Sequence, residues 1–511
     1  MMPVDTSSAG VPDHFLVDPG PHLSNEAHVL TSPVSGTAST SIQLPHNASS
    51  TPFGDLPRSL GLWDAVALVV GGIIGSGVFF KAATLARDVG AFGPIMLLWV
   101  LVGIHTLCAT LSLAELAGML PHAGGPYVYL QAAYGRLAAF LWGWGEFWII
   151  RTASLGALST ASVLAFSEVV PLDRMSQMVL SIAIVLGLSA VNYVATKGGS
   201  LIQIVTTALK LGFLGLLIVL PAFLGRIDTA NLDPIWTTKT GLTFWAAMGT
   251  GAMAVLWPYD GWINVAPVTE EIRDPSRNVP RALILGVGLV IVVYLLVNVS
   301  YHLTLSIPAM QASSGIAADV CHAVFGPWGS HLSALGIMCS TLGATNGNLL
   351  CGPRIYFAMA RDGVLPGVFA QVHPQFKTPA NAIVLQAVWT TVLIVGAFQV
   401  PLAENESADA PFDKLTNFAI FGGLVFYALV VAAVLRLRAT HPELPRPYRT
   451  WGYPWTPLLY LGGSAGVLVS MLLQNWRETL VGSLLILGGL TYYALVVRTE
   501  RPRVVSPPPQ H

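Results

Sequence analysis

Two short stretches of the sequence combine helix-breaking residues with groups that can bind a small zwitterion. The first, residues 71–77, reads GGIIGSG, and the second, residues 257–262, reads WPYDGW. Each glycine weakens a helix by about 1 kcal/mol relative to alanine, and proline weakens it further. Where a helix breaks, backbone N–H and C=O groups lose their helical partners and become available to a ligand. Both stretches are therefore candidate binding sites built largely from backbone.

The groups released at the breaks predict the chemistry of the ligand. A half-helix that begins at Ser76 and Gly77 presents N–H donors and the positive end of a helix dipole, which suits a carboxylate. Carbonyl groups released near Ile73, Trp257 and Asp260 suit an ammonium group. A carboxylate and an ammonium group a few ångströms apart describe an α-amino acid. The predicted substrate-binding residues are Ile73, Gly75, Ser76, Gly77, Trp257, Asp260 and Gly261.

The composition places both stretches in a membrane protein. Charged residues make up 10% of the 511-residue chain and hydrophobic residues 53%, and the mean hydropathy is +0.64. Soluble proteins carry about 25% charged residues, so this composition excludes a soluble enzyme, a nucleic-acid-binding protein and a disulfide scaffold. The four cysteines form no CxxC pair, and we expect no metal site and no cofactor.

Twelve apolar segments are long enough to cross a bilayer, which takes about 20 residues. A backbone in lipid must satisfy its own hydrogen bonds, so we expect an all-α integral membrane protein. Residues 1–57 are rich in Ser, Thr, Pro and His and predict a disordered tail, residues 58–497 form the predicted membrane domain, and residues 498–511 predict a second, cytoplasmic tail. The segments are 62–86, 92–118, 134–166, 176–194, 199–224, 242–268, 281–306, 328–360, 380–399, 412–436, 454–473 and 477–497.

The basic residues predict the orientation of these segments. Most of the 25 Lys and Arg residues fall in loops on the side that also holds both tails, and cytoplasmic loops are enriched in these residues. We therefore expect a multi-pass protein of the cell membrane with both termini in the cytoplasm.

The two breaks fall in the first and sixth segments, at corresponding places five segments apart. Transporters built from inverted five-helix repeats show such a pair, with the substrate between the unwound segments. Two simpler interpretations stay open. The glycines would also suit a helix-packing face of small residues, and the second stretch would also suit an ordinary proline kink.

Further motifs give the chain a family resemblance over roughly residues 58–497. It resembles the amino acid–polyamine–organocation superfamily and, within it, the L-type amino acid transporters. The motifs that carry the resemblance are GIIGSGVF at 72–79, AEL at 114–116, HAGG at 122–125, IIR at 149–151, Lys210, YDGW at 259–262, TEE at 269–271, DP at 274–275 and AMARDG at 358–363.

The resemblance implies the LeuT-like fold: twelve transmembrane helices in two inverted five-helix repeats, with helices 1 and 6 broken at mid-membrane, and alternating access. In the family, the substrate carboxylate binds amides that match Ser76 and Gly77. The amino group binds carbonyls that match Ile73, Trp257 and Asp260, and Trp257 matches an aromatic gate. Animal relatives are bonded to a glycoprotein through a cysteine in the loop after the third span. The corresponding loop has no cysteine here, so we expect no disulfide-linked heavy chain.

Lys210 lies within the fifth predicted span, about 11 residues or roughly 16 Å from its nearer end. A lysine stem is too short to reach water from that depth, so the ammonium group must face the protein interior. In relatives, a lysine at the matching position approaches the first and eighth spans, where sodium-coupled members bind sodium. We therefore expect a fixed ammonium group in place of the ion, with a purely structural lysine as the alternative.

Three other groups of intramembrane polar residues carry expectations. Glu146 and Arg151 are about 140° apart on an α-helix, so Arg151 is expected to contact backbone carbonyls or a neighbouring helix rather than Glu146. Glu115 is expected to be partly solvated. Residues 269–271 predict an ion-pair cluster with the arginines of the following loop, or else a solvated loop.

Asp260 has three open roles. It could hold a cationic substrate side chain, it could carry a coupling proton, or it could cap the amides at the start of the inner half-helix, since aspartate is a favoured N-cap. The sequence alone leaves all three open.

The predicted function is secondary transport of L-amino acids, by sodium-independent exchange or uptake, with the amino acid and the lipid bilayer as partners. A proton-coupled or cationic amino-acid or polyamine permease is the alternative. A channel would need a continuous polar pore or filter loops, which the sequence does not show. An enzyme is not expected, because the one hydrolase-like match, GGSAG at 462–466, lies in an apolar segment rather than at a strand–turn–helix junction.

Overall fold

A computed structural model shows the chain as packed helices. It describes residues 58–194, 196–313, 315–399, 410–474 and 476–497; both predicted tails, 1–57 and 498–511, lie outside the described residues. Within these ranges the regular structure is helical apart from an isolated β-bridge between Leu60 and Ile272, which confirms the all-α class. Nine helical stretches among the described residues are long and apolar enough to cross a membrane. The count of twelve spans and the inverted repeats stay predictions.

Seventeen α-helices follow one another along the described ranges, joined by loops and short 3₁₀ or π turns. They are α1 (Leu62–Ile73), α2 (Gly77–Asp88), α3 (Phe92–Met119), α4 (Pro126–Tyr134), α5 (Arg136–Gly145), α6 (Arg151–Ser167), α7 (Arg174–Val194), α8 (Thr196–Phe223), α9 (Gly241–Tyr259), α10 (Pro275–Thr304), α11 (Ile307–Ala312), α12 (Ile316–Phe325), α13 (Gly329–Arg361), α14 (Ala380–Gln399), α15 (Ala410–Thr440), α16 (Trp455–Gln474) and α17 (Trp476–Tyr492).

Both predicted helix breaks are present. The first apolar segment is divided into α1 and α2 by three residues, 74–76. The sixth is divided after α9 by Asp260 and Gly261, and the chain then continues as a 3₁₀ helix, Trp262–Glu271, which we call the 3₁₀ segment. The sequence predicted a helix as far as residue 268 without this change of type. Runs of 3₁₀ helix longer than three or four residues are uncommon, and a 3₁₀ stretch within a helix often marks a hinge. The departure from α-helix therefore extends from the second break to Glu271.

The broken segments are surrounded by four long helices. α1 packs against α8, α10 and α13, and the 3₁₀ segment packs against α1, α10 and α13. α13 also packs closely against α6 and α8. Other helices turn apolar side chains outward, and Leu201, Val292 and Leu473 are each more than half exposed. Soluble proteins rarely expose large apolar patches, so these faces suit lipid.

The expectation that Glu146 and Arg151 do not pair is wrong. Residues 146–150 form a π turn between α5 and α6, and the i to i+5 spacing of a π-helix brings residues five apart onto one side. Arg151 Nε donates to Glu146 Oε2 at 2.9 Å, with both side chains buried. Glu115 is likewise buried rather than partly solvated, and Arg438 Nη2 of α15 donates to its Oε2 at 2.6 Å.

Two glutamates at the end of the 3₁₀ segment pair with α13. Arg354 Nε donates to Glu271 Oε1 at 3.0 Å, and both side chains are buried. Arg361 Nη1 lies 3.7 Å from Glu270 Oε2 in a more exposed pair. The partners are therefore on a helix some 80 to 90 residues away in sequence, whereas the sequence pointed to the arginines of the following loop. These contacts fasten the 3₁₀ segment to α13.

Candidate functional site

A cavity lies where the two helix breaks face each other. Its lining includes every residue that the sequence predicted for substrate binding, so the structure brings all seven together. It also includes side chains from α6 and α13 that the sequence did not predict. The lining residues are Gly72, Ile73, Gly75, Ser76, Gly77, Ser154, Leu158, Trp257, Asp260, Gly261, Asn264 and Asn348.

The start of α2 lies beside this cavity, because its N-cap Ser76 and its first residue Gly77 belong to the lining. Ser76 is the N-cap residue, and its carbonyl accepts the Phe79 amide at 3.1 Å. The Ser76 hydroxyl accepts from Trp257 Nε1 at 3.1 Å instead of capping the helix. The first amides of a helix have no intrahelical partner, so an uncapped start beside the cavity is a donor site for an anionic group.

Glycines let the two breaks approach each other closely. Gly261 has φ +98°, and a Cβ added there would lie 2.5 Å from the Gly72 carbonyl oxygen. A Cβ on Gly77 would lie 2.7 Å from Pro258 Cα. Both positions need glycine, the first for its left-handed backbone as well as for space. The helix-packing interpretation holds for Gly71, where an added Cβ would clash with Gln203 Nε2 of α8, whereas Gly77 and Gly261 bring the two breaks together.

The carbonyls expected to bind an ammonium group differ in their existing partners. Ile73 O accepts the Tyr294 hydroxyl at 3.3 Å, and Trp257 O accepts the Asp260 amide at 3.1 Å. The Tyr294 hydroxyl also lies 2.9 Å from Pro258 O, so this one side chain of α10 joins both breaks. Each carbonyl oxygen has two lone pairs, and one bond leaves a second acceptor direction at each.

Lys210 contacts the first break from the side of α8. Its side chain is buried, and Nζ donates to Gly71 O at 2.9 Å and to Ile74 O at 2.6 Å. Ser340 of α13 donates its hydroxyl to Gly75 O at 2.9 Å and to Ile74 O at 3.3 Å. Lys210 thus lies between the first segment and α13, behind the cavity wall and not in its lining.

Asp260 does not occupy the N-cap position of the 3₁₀ segment, which belongs to Gly261. Asp260 instead ends α9 and lines two cavities, the one between the breaks and a second, more aromatic one. The second cavity is lined by His105, Thr106, Leu256, Tyr259, Asp260, Trp262, Ala419, Ile420, Gly423, Leu424, Tyr427 and Tyr460. Asp260 is therefore the residue that the two linings share.

Aromatic side chains pack against Trp257, which belongs to the cavity lining. The Trp257 ring meets Phe412 edge to face with centroids 6.1 Å apart, and Phe412 lies 5.9 Å from Phe80. Lys81 Nζ lies 5.2 Å from the centre of the Phe412 ring. Trp257 is thus held both by an edge-to-face ring contact and by its hydrogen bond to Ser76.

Comparisons with known proteins show which family the chain belongs to. The profile of the family described as amino acid permease matches residues 60–490. The chain is 32% identical over 448 residues to the serine/threonine exchanger SteT of Bacillus subtilis (strain 168), covering 87% of this chain and 98% of the exchanger. It is 30% identical over 456 residues to the b(0,+)-type amino acid transporter 1 of Homo sapiens, covering 86% and 88%. It is 29% identical over 460 residues to the human large neutral amino acids transporter small subunit 2, covering 86% and 81%. The chain belongs to the amino acid permease family of the amino acid–polyamine–organocation superfamily.

Proposed function

We propose that this permease exchanges L-amino acids across the cell membrane by alternating access, without sodium. The observation that carries the proposal is the cavity between the two breaks, where the uncapped start of α2 and the carbonyl end of α1 meet beneath Trp257. The printed name of the Bacillus subtilis relative describes an exchanger, which favours exchange over one-way uptake.

In this proposal the backbone binds the part that all amino acids share. Amides of Ser76 and Gly77 bind the carboxylate, and carbonyl groups of Ile73 and Asp260 bind the amino group, with Trp257 O as a further acceptor. Gly75 and Gly261 leave room for the substrate backbone. These contacts do not involve the substrate side chain. The surrounding cavity walls therefore determine which amino acids are selected.

The test of function is counterflow. Proteoliposomes containing purified protein are preloaded with an unlabelled amino acid and presented with a labelled one, using a panel of the twenty amino acids. We expect saturable uptake that is accelerated by internal substrate. Uptake that neither saturates nor responds to internal substrate would indicate a channel and would refute the proposal.

The site itself is tested at the glycines. Gly77→Val should abolish exchange because bulk at this position obstructs the amides. Since the new side chain would also contact Pro258, protein yield and monodispersity are measured alongside. Gly75→Ala is the milder probe: its Cβ would lie 3.1 Å from the flexible Leu158 side chain, and we expect a raised KM with normal folding. Normal exchange by both variants would refute the placement.

Sodium independence rests on Lys210. An ammonium group bonded to two carbonyls of the first break occupies the position expected for a cation. We expect equal uptake when external sodium is replaced by choline. A steep dependence of uptake on sodium would contradict this assignment.

A second candidate function is transport of cationic amino acids, favoured by Asp260 between the two cavities. The variant Asp260→Asn keeps the shape and removes the charge. Selective loss of lysine and arginine exchange would assign Asp260 to the substrate side chain. Loss of pH dependence would assign it to a coupling proton. Unchanged transport of neutral and cationic substrates at every pH would leave only a structural role. Asp173→Asn, a surface substitution in a loop, is the matched control.

The remaining parts of the proposal concern the membrane arrangement. We propose twelve spans in two inverted repeats, residues 58–497 as the membrane domain, and both termini in the cytoplasm. We also propose that no heavy chain is attached by a disulfide. Cys108, Cys321 and Cys351 are buried and Cys339 is half-buried, which supports this. Migration of the purified native complex on non-reducing gels tests whether a heavy chain is attached by a disulfide. Protease accessibility of terminal tags tests whether both termini are cytoplasmic.

A further inference from the structure

Directly beneath the substrate cavity lies a buried polar cluster that the proposed binding site does not use. It consists of Glu146, Arg151, Asn264 and Asn348, which we call the Arg151 cluster. All four side chains are buried. Asn264 and Asn348 both line the cavity, and both turn their amide oxygens toward Arg151. Arg151 Nη1 donates to Asn348 Oδ1 at 2.7 Å and also to Asn264 Oδ1.

The cluster joins three elements that differ in how firmly they are held. Arg151 begins α6, directly after the π turn that carries Glu146, and Asn348 lies on α13. α6 and α13 pack against each other along their lengths, so these contacts lie within one packed unit. Asn264 belongs to the 3₁₀ segment, which follows the left-handed Gly261. The bond from Arg151 to Asn264 therefore crosses from the packed unit to the segment beyond the break, at the end of that segment that lines the cavity.

The π turn brings Glu146 and Arg151 to the same side of the helix, where their side chains pair. Glu146 Oε2 accepts from Arg151 Nε at 2.9 Å, and Nη1 of the same guanidinium group donates to the two asparagines. Pairing also compensates a charge that would be costly to bury alone. A charged donor strengthens each hydrogen bond relative to a neutral one, and one Nη atom serves both amide oxygens.

The other contacts of the 3₁₀ segment follow the same scheme. At its far end Glu271 pairs with Arg354, and Glu270 with Arg361, both on α13. The segment is thus fastened to α6 and α13 by three arginines along its length. Such polar bonds can be exchanged for bonds to water when the segment moves, which makes them suited to a contact that opens and closes repeatedly.

Resting on the proposed transport function, we propose that Arg151 is a positioning residue that holds the 3₁₀ segment closed beneath the substrate through Asn264. Breaking this bond lets the segment move away from α6 and α13 and opens the cavity on the side of the proposed cytoplasmic termini. The substrate is then released to that side. Arg151 acts through Asn264 and Asn348 and does not itself line the cavity.

A native thiol reports on this opening. Cys351 lies on α13 and is fully buried. Gly352, the next residue, lies against Arg151, since a Cβ placed there would be 2.9 Å from Arg151 Cγ. Opening of the 3₁₀ segment should expose Cys351 to a thiol reagent. Cys321, equally buried but on α12, is the matched reporter away from the cluster.

The experiment uses full-length protein in which either Cys351 or Cys321 is the only cysteine. The rate of labelling by N-ethylmaleimide is measured in oriented proteoliposomes with and without substrate. Asn264→Leu removes the acceptor, and we expect Cys351 labelling to rise about tenfold or more, the factor that corresponds to losing one hydrogen bond to a charged group. Cys321 labelling should not change. The apparent KM measured from the cytoplasmic side should rise more than that from the outer side.

Asn264→Asp supplies the opposite change. It places a carboxylate against the guanidinium group, so we expect slower labelling of Cys351 and slower exchange. Arg151→Lys keeps the charge but not the two-acceptor geometry. It should therefore raise the rate of Cys351 labelling by less than Asn264→Leu does. If Asn264→Leu does not fold, the slowing by Asn264→Asp tests the proposal on its own. Equal labelling of Cys351 in the parent and in either folded Asn264 variant would overturn it.

This readout is independent of transport. Counterflow without any change in Cys351 labelling would leave the transporter proposal standing and refute the role of Arg151. The expected labelling changes without counterflow would support the role of Arg151 in moving the 3₁₀ segment and refute transport.

Discussion

The two helix breaks that form the cavity are held open in different ways. At the first, side chains from three other helices bind the carbonyls at the end of α1: Lys210 from α8, Tyr294 from α10 and Ser340 from α13. At the second, Tyr294 also bonds to Pro258 O, and the break adds bonds within its own backbone. The Asp260 amide bonds to Trp257 O, and Gly261 turns the backbone through a left-handed conformation.

This difference suggests a division of roles. The first break resumes as a regular α-helix at Gly77 and is fixed by distant side chains, so it suits a rigid donor and acceptor site. The second break continues as a ten-residue 3₁₀ segment fastened by arginines, so it suits a moving part. A change at the first break should therefore weaken binding and stability, and a change at the second should alter the opening of the cavity.

The largest effect is expected at Lys210, the charged residue of the first break. Lys210→Met removes two hydrogen bonds from an ammonium group to the carbonyls of Gly71 and Ile74, of which Ile74 O keeps only the longer bond from Ser340, a cost of about 3–5 kcal/mol. We expect a strong fall in thermal stability and loss of counterflow. Lys239→Met, an exposed loop position, is the control. A Lys210→Met protein as stable and active as the parent would show that the first break does not depend on this charge.

At the second break, Gly261→Ala should have the next largest effect. A left-handed conformation costs an alanine about 1–2 kcal/mol, and the new Cβ would lie 2.5 Å from Gly72 O. Gly72→Ala is the matched variant across the same contact, where a Cβ has more room at 3.3 Å from Asn264 Nδ2. We expect Gly261→Ala to lose counterflow and Gly72→Ala to retain part of it. Equal activity of the two would argue against the left-handed turn as the critical feature.

Tyr294 allows the two breaks to be tested together, since its hydroxyl bonds to Pro258 O and Ile73 O. Tyr294→Phe removes both bonds with no loss of ring packing, and we expect about 1–2 kcal/mol of destabilisation with a raised KM. Tyr301→Phe is the control two turns further along α10, because the buried Tyr301 hydroxyl has no hydrogen-bond partner among the described residues. A comparable loss in both variants would mean that the hydroxyl does not connect the breaks.

The sequence predicted the breaks and the seven cavity residues because glycine, proline and aspartate are conspicuous in an apolar helix. It did not predict Asn264 and Asn348 as lining residues. Their positions depend on the 3₁₀ pitch of one segment and on a guanidinium group from another helix, neither of which leaves a local pattern. A change of helix type also explains the error at Glu146 and Arg151, since the angle between them was calculated for an α-helix.

The sequence also did not predict the long-range ion pairs. Glu271 lies two residues before Arg273, the first of the arginines that follow it in the chain, yet its partner is Arg354 on α13. Proximity in sequence favoured the loop, whereas helix packing brought a distant arginine into a buried position. The number of membrane spans is a similar case, because length and hydropathy identify candidate helices but do not show which of them cross the bilayer.

The smallest effect is expected at Ser340, the neutral member of the side chains that hold the first break. Its hydroxyl donates to Gly75 O at 2.9 Å and to Ile74 O at 3.3 Å, and Ile74 O keeps Lys210 as a partner when the hydroxyl is removed. Ser340→Ala should therefore cost only about 0.5–1.5 kcal/mol and raise the KM for exchange about two- to tenfold. Ser333→Ala on the same helix is the matched control, because the buried Ser333 hydroxyl has no partner among the described residues. An effect as large as that of Lys210→Met would show that Gly75 O, and not the ammonium contact, fixes the first break. No difference between the two serine variants would show that Lys210 holds the break without help from α13.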